Sequence, residues 1–197
     1  VDVLTGEIRE TDVSVGGGKI LGFSHTEAVK VVDARGAYLL PGLIDAHIHI
    51  ESSMVSPARF AGLVLPHGTT SVVADPHEIA NVHGLEGIRY MLENGRHLPL
   101  NIFIALPSCV PATPFEDSGA VLSAEELEEL IDDPKVTGIG EMMNFPGVVS
   151  GDYDVLAKIQ LGTSHGKIVD GHARLAWPGS RRLSRHRHYE YPRVHHA

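Results

Sequence analysis

The chain has almost no cysteine and no long apolar run. Cys109 is the only cysteine among 197 residues, so no disulfide can form within the chain, which is typical of a reducing compartment. No apolar stretch reaches the roughly 20 residues that a membrane span requires. The N-terminal residues also lack the basic flank and apolar segment of a signal peptide. We therefore expect a cytoplasmic protein that does not enter a membrane.

Negative charge exceeds positive charge overall, but the balance reverses near the C-terminus. The formal net charge is -9, whereas residues 174–197 contain six arginines, four histidines and a single acidic residue, Glu190. A basic segment of this kind is usually a site for nucleic acid or anionic lipid. The same segment contains neither lysine nor aspartate, which sets it apart from the rest of the chain.

Residues 1–40 have the pattern of short strands. The candidate strands are residues 12–15, 19–23, 31–32 and 38–40, and the first two are separated by Gly16, Gly17 and Gly18. Glycines between two alternating runs are typical of a β-hairpin. The pattern predicts part of a small β-sandwich subdomain over residues 1–40.

From residue 41 to residue 173, apolar strands alternate with amphipathic helices. The predicted strands are residues 42–49, 69–74, 100–106, 136–142 and 167–172, and the predicted helices are residues 58–65, 85–94, 123–131 and 153–160. This alternation is typical of parallel βα units. Five strands and four helices predict an α/β fold, an incomplete (β/α)8 TIM barrel with strands one to five. Such barrels usually have about 250 residues, so the chain is short for one.

Histidine and glutamate side chains lie at the ends of three predicted strands. His47 and His49 end the first strand and lie on one face, because side chains along a strand alternate in direction. Glu141 ends the fourth strand and His172 ends the fifth. Active sites of parallel barrels form at the carboxyl ends of the strands, and imidazole with carboxylate is a ligand set for divalent metals. Each residue alone is equally compatible with ordinary hydrogen bonding.

Seven segments together resemble the adenine deaminase branch of the amidohydrolase superfamily. The matching segments are 41–49 (Pro-Gly-Leu-Ile-Asp-Ala-His-Ile-His), 49–54 (His-Ile-Glu-Ser-Ser-Met), 66–70 (Pro-His-Gly-Thr-Thr), 75–81 (Asp-Pro-His-Glu-Ile-Ala-Asn), 107–111 (Pro-Ser-Cys-Val-Pro), 140–144 (Gly-Glu-Met-Met-Asn) and 169–173 (Val-Asp-Gly-His-Ala). The resemblance extends over residues 1–173.

The resemblance implies a binuclear site for divalent metal, with manganese or iron favoured and zinc also compatible with the ligands. His47 and His49 would hold one ion, His172 the other, and Glu141 would bridge them as a catalytic residue. Some relatives use a carboxylated lysine as the bridge, so a glutamate favours the deaminase branch over dihydroorotase or hydantoinase. The implied reaction is hydrolytic deamination of adenine to hypoxanthine and ammonia, a step of purine salvage. The family implies a small-molecule substrate and a homo-oligomer.

Four further polar residues lie near these candidates: Glu51, Asp75, His77 and Glu78. Like Ser52 and His83, they could line a substrate pocket or orient the ligands, and ordinary loop hydrogen bonding explains them equally well. Asp45, inside the first strand, is expected to satisfy nearby backbone or ligand groups.

Two other functions are compatible with the residues. One is a different amidohydrolase, such as a deacetylase or an imidazolone or cyclic-amide hydrolase. The other is a non-enzymatic fragment that binds nucleic acid through the basic tail, where Tyr189 and Tyr191 could stack on bases. The tail lacks lysine and helical periodicity, so we expect neither a nucleic-acid partner nor a membrane partner.

The resemblance stops after Ala173. We predict that residues 174–197 are an aberrant, unstructured tail translated out of frame, because the composition changes abruptly at a family motif. One back-translation of residues 186–197 is consistent with this, since it encodes, one base later, the His-Glu pair expected on a sixth strand. Sequencing the gene tests this. Without strands six to eight the edge strands lack neighbours, and the 197-residue polypeptide is expected to have little or no deaminase activity.

Overall fold

A computed structural model describes residues 1–113 and 115–172, so the predicted out-of-frame tail lies outside the described residues. The described residues divide into two compact units, one of residues 1–42 and one that begins at Leu43. No helix in the described ranges is sufficiently long and apolar to cross a membrane.

The first unit contains the predicted hairpin. Strands β1 (Ser14–Gly16) and β2 (Lys19–Gly22) pair antiparallel. The turn between them needs glycine, because Gly17 and Gly18 have φ values of 57° and 73°, a region that other residues rarely adopt.

The strands predicted at residues 31–32 and 38–40 are wrong. Both segments have irregular backbone, and the side chains of Val31 and Tyr38 are 79% and 72% exposed. A strand needs a neighbour for its backbone groups, and β1 and β2 are the only paired strands in the described part of this unit. Apolar composition alone therefore overstated the strand content here.

The second unit is built on a parallel sheet of five strands in sequential order. They are β3 (Leu43–Ile48), β4 (Thr69–Ala74), β5 (Asn101–Leu106), β6 (Val136–Met142) and β7 (Ile168–Gly171). Each strand pairs in parallel with the next one in the chain. This order confirms the prediction of an incomplete (β/α)8 barrel.

Among the described residues, five α-helices connect or follow the strands. They are α1 (Pro57–Val64), α2 (His77–Gly95), α3 (Ala124–Ile131), α4 (Phe145–Ser150) and α5 (Tyr153–Ser164). The sequence pattern missed the first part of α2 because Gly84, at φ 60° and ψ -143°, interrupts the helix and its periodicity. It also missed α4, which is too short for an amphipathic repeat and begins where Asn144 Oδ1 accepts a hydrogen bond from Gly147 N at 3.1 Å.

The core lies between the sheet and the helices. Ile104 and Leu106 on β5 are fully buried, as are Ile88 on α2 and Leu127 and Ile131 on α3. Burial of each such side chain contributes about 1.5–3 kcal/mol. Because the five strands run in one direction, their carboxyl ends lie along the same edge of this packed sheet, and the candidate ligands follow there.

Candidate metal centre

His47 and His49 lie at the carboxyl end of β3, and their rings meet. The two Nε2 atoms are 3.2 Å apart, and the ring planes cross at 83°. Ile48 separates them in sequence, so the alternation of a strand brings both imidazoles to one side.

Glu141, on β6, completes a triangle with these two histidines. Its Oε2 atom lies 3.6 Å from His47 Nε2 and 3.5 Å from His49 Nε2. Two ligand atoms that each lie ~2.1 Å from one ion at the tetrahedral angle are about 3.4 Å apart. The three atoms therefore have the spacing of ligands around one divalent cation, and the set of two imidazoles and a carboxylate suits such an ion.

His172 approaches the same carboxylate from the other side. Its Nε2 atom contacts Glu141 Oε1, whereas Glu141 Oε2 faces the rings of His47 and His49. The backbone N–H of His172 donates a hydrogen bond to Met142 O at 3.3 Å. A carboxylate whose two oxygens face different imidazoles has the arrangement that a bridging ligand needs.

Asp75 holds both sides of the triangle in place. Its backbone oxygen is 2.9 Å from His49 Nδ1, so the ring nitrogen that donates there leaves the lone pair of Nε2 available for a cation. Its carboxylate oxygen Oδ2 accepts a hydrogen bond from Glu141 N at 2.7 Å. Ser108 adds a third restraint, because its hydroxyl donates to Glu141 O at 2.6 Å.

Asp170 is a site residue that the sequence reasoning did not single out. Its Oδ2 atom lies 3.8 Å from His47 Nδ1, which is longer than a hydrogen bond, so its carboxylate places negative charge beside this ring. The spacing carried a signal, because Asp170 and His172 are two residues apart at the end of a strand. Asp45 behaves as expected, since its carboxylate accepts a hydrogen bond from His47 N at 3.2 Å.

Glu51 and Glu78 form a neighbouring acidic pair. Glu51 lies in a 3-10 turn, Glu51–Ser53, and its Oε1 accepts a hydrogen bond from Ile79 N at 3.3 Å, while Ser52 Oγ donates to Glu78 Oε1. In both carboxyl groups Oε2 is buried and finds no hydrogen-bond partner among the described residues. Burial raises the pKa of Glu51, and the nearby charge of Glu78 adds to the rise.

His77 lies between the acidic pair and the triangle. Its Nδ1 atom is 3.5 Å from Asp75 Oδ1, and its ring packs against His49 with centroids 4.5 Å apart. The Asp75 carboxylate raises the pKa of His77, and burial partly opposes this effect. His83, one of the other candidates, is exposed on α2 and lies apart from these contacts.

The chain belongs to the amidohydrolase family, which it matches over residues 38–188. Amidohydrolases are metal-dependent, and the triangle of His47, His49 and Glu141 fits that property by its donor types and its spacing.

Within this family, the chain is similar to proteins named adenine deaminase. It is 64% identical over 173 residues to the adenine deaminase of Nitratidesulfovibrio vulgaris (strain DP4), and 53% identical over 173 residues to that of Clostridium acetobutylicum. It is 51% identical over 175 residues to that of Halalkalibacterium halodurans. These alignments cover 87–88% of this chain and 30% of each relative, so the chain spans about a third of their length.

Proposed function

We propose that this chain carries the first metal-binding part of an adenine deaminase, which converts adenine and water to hypoxanthine and ammonia. The observation that supports it is the triangle of His47, His49 and Glu141, with edges of 3.2, 3.5 and 3.6 Å. The names of the relatives supply the reaction and the substrate. The other amidohydrolase reactions considered above use similar ligands, and none of the relatives named above supports them.

The proposed centre is binuclear, with manganese or iron favoured over zinc. His47 Nε2, His49 Nε2 and Glu141 Oε2 would hold one ion, and Glu141 Oε1 with His172 Nε2 would hold the other. A bound divalent cation lowers the pKa of water from about 15.7 to about 7 and so provides a nucleophile at neutral pH.

The protein groups then have to place the substrate and move the two protons of the water molecule. Addition of water oxygen to C6 of adenine forms the C–O bond, and the bond from C6 to the exocyclic nitrogen breaks. Of the two protons of water, one must reach ring nitrogen N1 and the other must reach the exocyclic nitrogen through a carboxylate, so that hypoxanthine forms and ammonia leaves. Glu141 is the proposed catalytic residue because its two oxygens face both sets of imidazoles and would hold both ions, so a different carboxylate moves the proton.

The other carboxyl groups have supporting roles in this proposal. Asp75 orients the ligands through its two hydrogen bonds, and Asp170 places negative charge beside His47. Glu51 and Glu78 keep unpaired acceptor oxygens near the end of β3, where they can receive N–H groups of the purine, and His77 separates them from the ligands.

Metal binding by the 197-residue chain tests the ligand set. We expect equilibrium dialysis against Mn²⁺ to show binding to the wild type, and at least about a 100-fold weaker affinity after His49→Ala, since even loss of groups that only orient a ligand weakens affinity by about 10–100-fold. His83→Ala is the control, because this histidine lies on the exposed surface of α2. Equal affinity of the His49→Ala variant and the wild type would contradict the proposed centre.

Deaminase activity is tested on a protein extended to the length of the relatives. We expect ammonia release from adenine with added manganese or iron, and a loss of at least about 100-fold in kcat/KM after Glu141→Gln. The 197-residue polypeptide alone is expected to release little or no ammonia. Activity on N-acetylated or cyclic-amide substrates without activity on adenine would favour the alternative reactions.

The proposal also covers the setting of the enzyme. The substrate is a small molecule of purine salvage, the location is cytoplasmic, and the complete protein associates with copies of itself. Light scattering of the complete protein during size-exclusion chromatography tests the last point, and a monomeric mass would contradict it.

A further inference from the structure

A second pair of ligand atoms lies one strand away from the His47 and His49 pair. Asp75 follows β4 and is only 1% exposed, yet its Oδ1 atom has no hydrogen-bond partner among the described residues. His77 Nδ1 is buried and unpaired in the same sense, and it lies 3.5 Å from Asp75 Oδ1. Buried polar atoms normally have a partner, so two orphaned atoms that face each other indicate a missing third group.

The distance between these atoms suits two ligands of one ion better than a hydrogen bond. Hydrogen bonds from nitrogen to oxygen are about 2.7–3.2 Å long, whereas two ligands ~2.1 Å from a tetrahedral ion are about 3.4 Å apart. A carboxylate oxygen of Glu141 closes the group, because one ligand atom from each of Asp75, His77 and Glu141 lies within 4.8 Å of the others.

Charge also favours a cation at this position. Removal of the Asp75 carboxylate from water is expensive unless an opposite charge compensates for it. Its one hydrogen bond, from Glu141 N, reaches Oδ2, and Oδ1 has only His77 Nδ1 at 3.5 Å. The positive end of the α2 dipole opposes a cation near His77, by about 0.3–1 kcal/mol. This opposition is small compared with the several kcal/mol needed to bury an uncompensated carboxylate.

We propose that Asp75 Oδ1, His77 Nδ1 and a carboxylate oxygen of Glu141 form an additional site for a divalent transition-metal cation. This site does not use the rings of His47 and His49, and it does not use His172. It deepens the proposed metal centre and rests on it for the shared Glu141. In this proposal Glu141 is shared by the site at His47 and His49 and by the additional site at His77. Asp75 is then a metal ligand as well as the residue that orients His49.

Anomalous scattering from crystals of the 197-residue chain grown with Mn²⁺ tests the site directly. Apart from any peak beside His172, we expect one peak among His47, His49 and Glu141, and a separate peak within about 2.5 Å of both Asp75 Oδ1 and His77 Nδ1. His77→Leu should abolish only the second peak. His83→Leu, the same substitution on the exposed side of the same helix, should retain both peaks.

Ion counting provides a second measurement that does not require crystals. Atomic emission after equilibrium dialysis should show one Mn²⁺ fewer per chain in Asp75→Asn than in the wild type, with an unchanged far-ultraviolet circular dichroism spectrum. The asparagine can still accept the hydrogen bond from Glu141 N, so the scaffold is retained.

The outcomes separate this inference from the proposed function. A peak at His47 and His49 without one at Asp75 and His77 overturns the additional site alone. A second peak that persists in His77→Leu, or an unchanged ion count in Asp75→Asn, also overturns it. Absence of both peaks contradicts the additional site and the proposed metal centre together.

Discussion

Substitution of Gly140 by alanine should disturb the centre without changing any candidate ligand. Gly140 lies on β6 and is buried directly beside the Asp75 carboxylate. A Cβ at this position would overlap Asp75 Oδ2 and lie 2.7 Å from Asp75 Cγ and 3.3 Å from Ala105 Cβ. Because Asp75 is 1% exposed, its carboxylate is surrounded by protein atoms. The added methyl group must therefore push Oδ2 away from Glu141 N.

The expected loss of stability follows from two effects. Overpacking of a dense core destabilises by about 1–3 kcal/mol. Loss of the hydrogen bond from Glu141 N to a charged acceptor removes about 1.5–3 kcal/mol more. Alanine also lowers the conformational entropy of the unfolded chain, which raises the free energy of unfolding by about 0.4–1 kcal/mol. The net decrease in the free energy of unfolding is about 2–5 kcal/mol, a large part of the roughly 5–15 kcal/mol typical of a domain.

Urea unfolding followed by circular dichroism measures this decrease, and Gly62→Ala is the matched control. Gly62 lies in α1 and a Cβ there would have nothing within 4 Å. The same substitution should therefore stabilise the chain at that position by about 0.5–1 kcal/mol. Equal stability of Gly140→Ala and the wild type would refute the tight packing of Asp75 against β6. We also expect weaker Mn²⁺ binding in Gly140→Ala and unchanged binding in Gly62→Ala.

Three further measurements address other parts of the chain. Ser123 caps α3 by a reciprocal capping box with Glu126, so Ser123→Ala should lower the free energy of unfolding by about 1 kcal/mol. Ser123→Thr should retain most of the stability that the cap provides. Equal losses in the two variants would argue against the cap. Since burial raises the pKa of Glu51 above its ordinary 4.5, the folded chain binds a proton more tightly than the unfolded chain, and stability should fall as pH rises from about 4.5 through the folded-state pKa. In chelator-treated samples, Glu51→Gln should become more stable relative to the wild type as pH rises through this range. The same pH dependence of stability in both proteins would contradict a raised pKa of Glu51. Mn²⁺ at 100 times its dissociation constant should stabilise the chain by about 2.7 kcal/mol and raise Tm by about 5–10 °C. Chelation should reverse this shift, and His49→Ala should abolish it at the same metal concentration.

The sequence predicted the parallel sheet well because its signals are local. Alternation of apolar runs with helix caps placed β4 and β6 at their observed residues, and α3 begins after the predicted capping residue Ser123. The strands predicted at residues 31–32 and 38–40 failed for the opposite reason. A strand requires a partner elsewhere in the chain, and composition cannot supply this information.

The same distinction applies to the candidate site. The spacing of His47 and His49 on one strand is local, so the sequence could place both rings on one side. The contact of Asp75 with Glu141 joins residues 66 positions apart, and it depends on a glycine at position 140 that leaves room for a carboxylate. Sequence patterns could suggest Asp75 as a candidate but could not distinguish a loop residue from one that orients two ligands.

Asp75 also explains why the described fragment already contains a defined ligand triangle. The candidate ligands lie on β3 and β6, which are not adjacent in the sheet because β4 and β5 lie between them. Asp75, at the end of β4, spans this separation by accepting hydrogen bonds from His49 through its backbone and from Glu141 through its carboxylate. Both bonds come from groups that a metal ligand does not use for coordination, so the triangle can be held before an ion binds. Preorganisation of this kind reduces the conformational entropy that the side chains lose when an ion binds. One buried aspartate, Asp75, would therefore fix the positions of two candidate ligands that come from different strands.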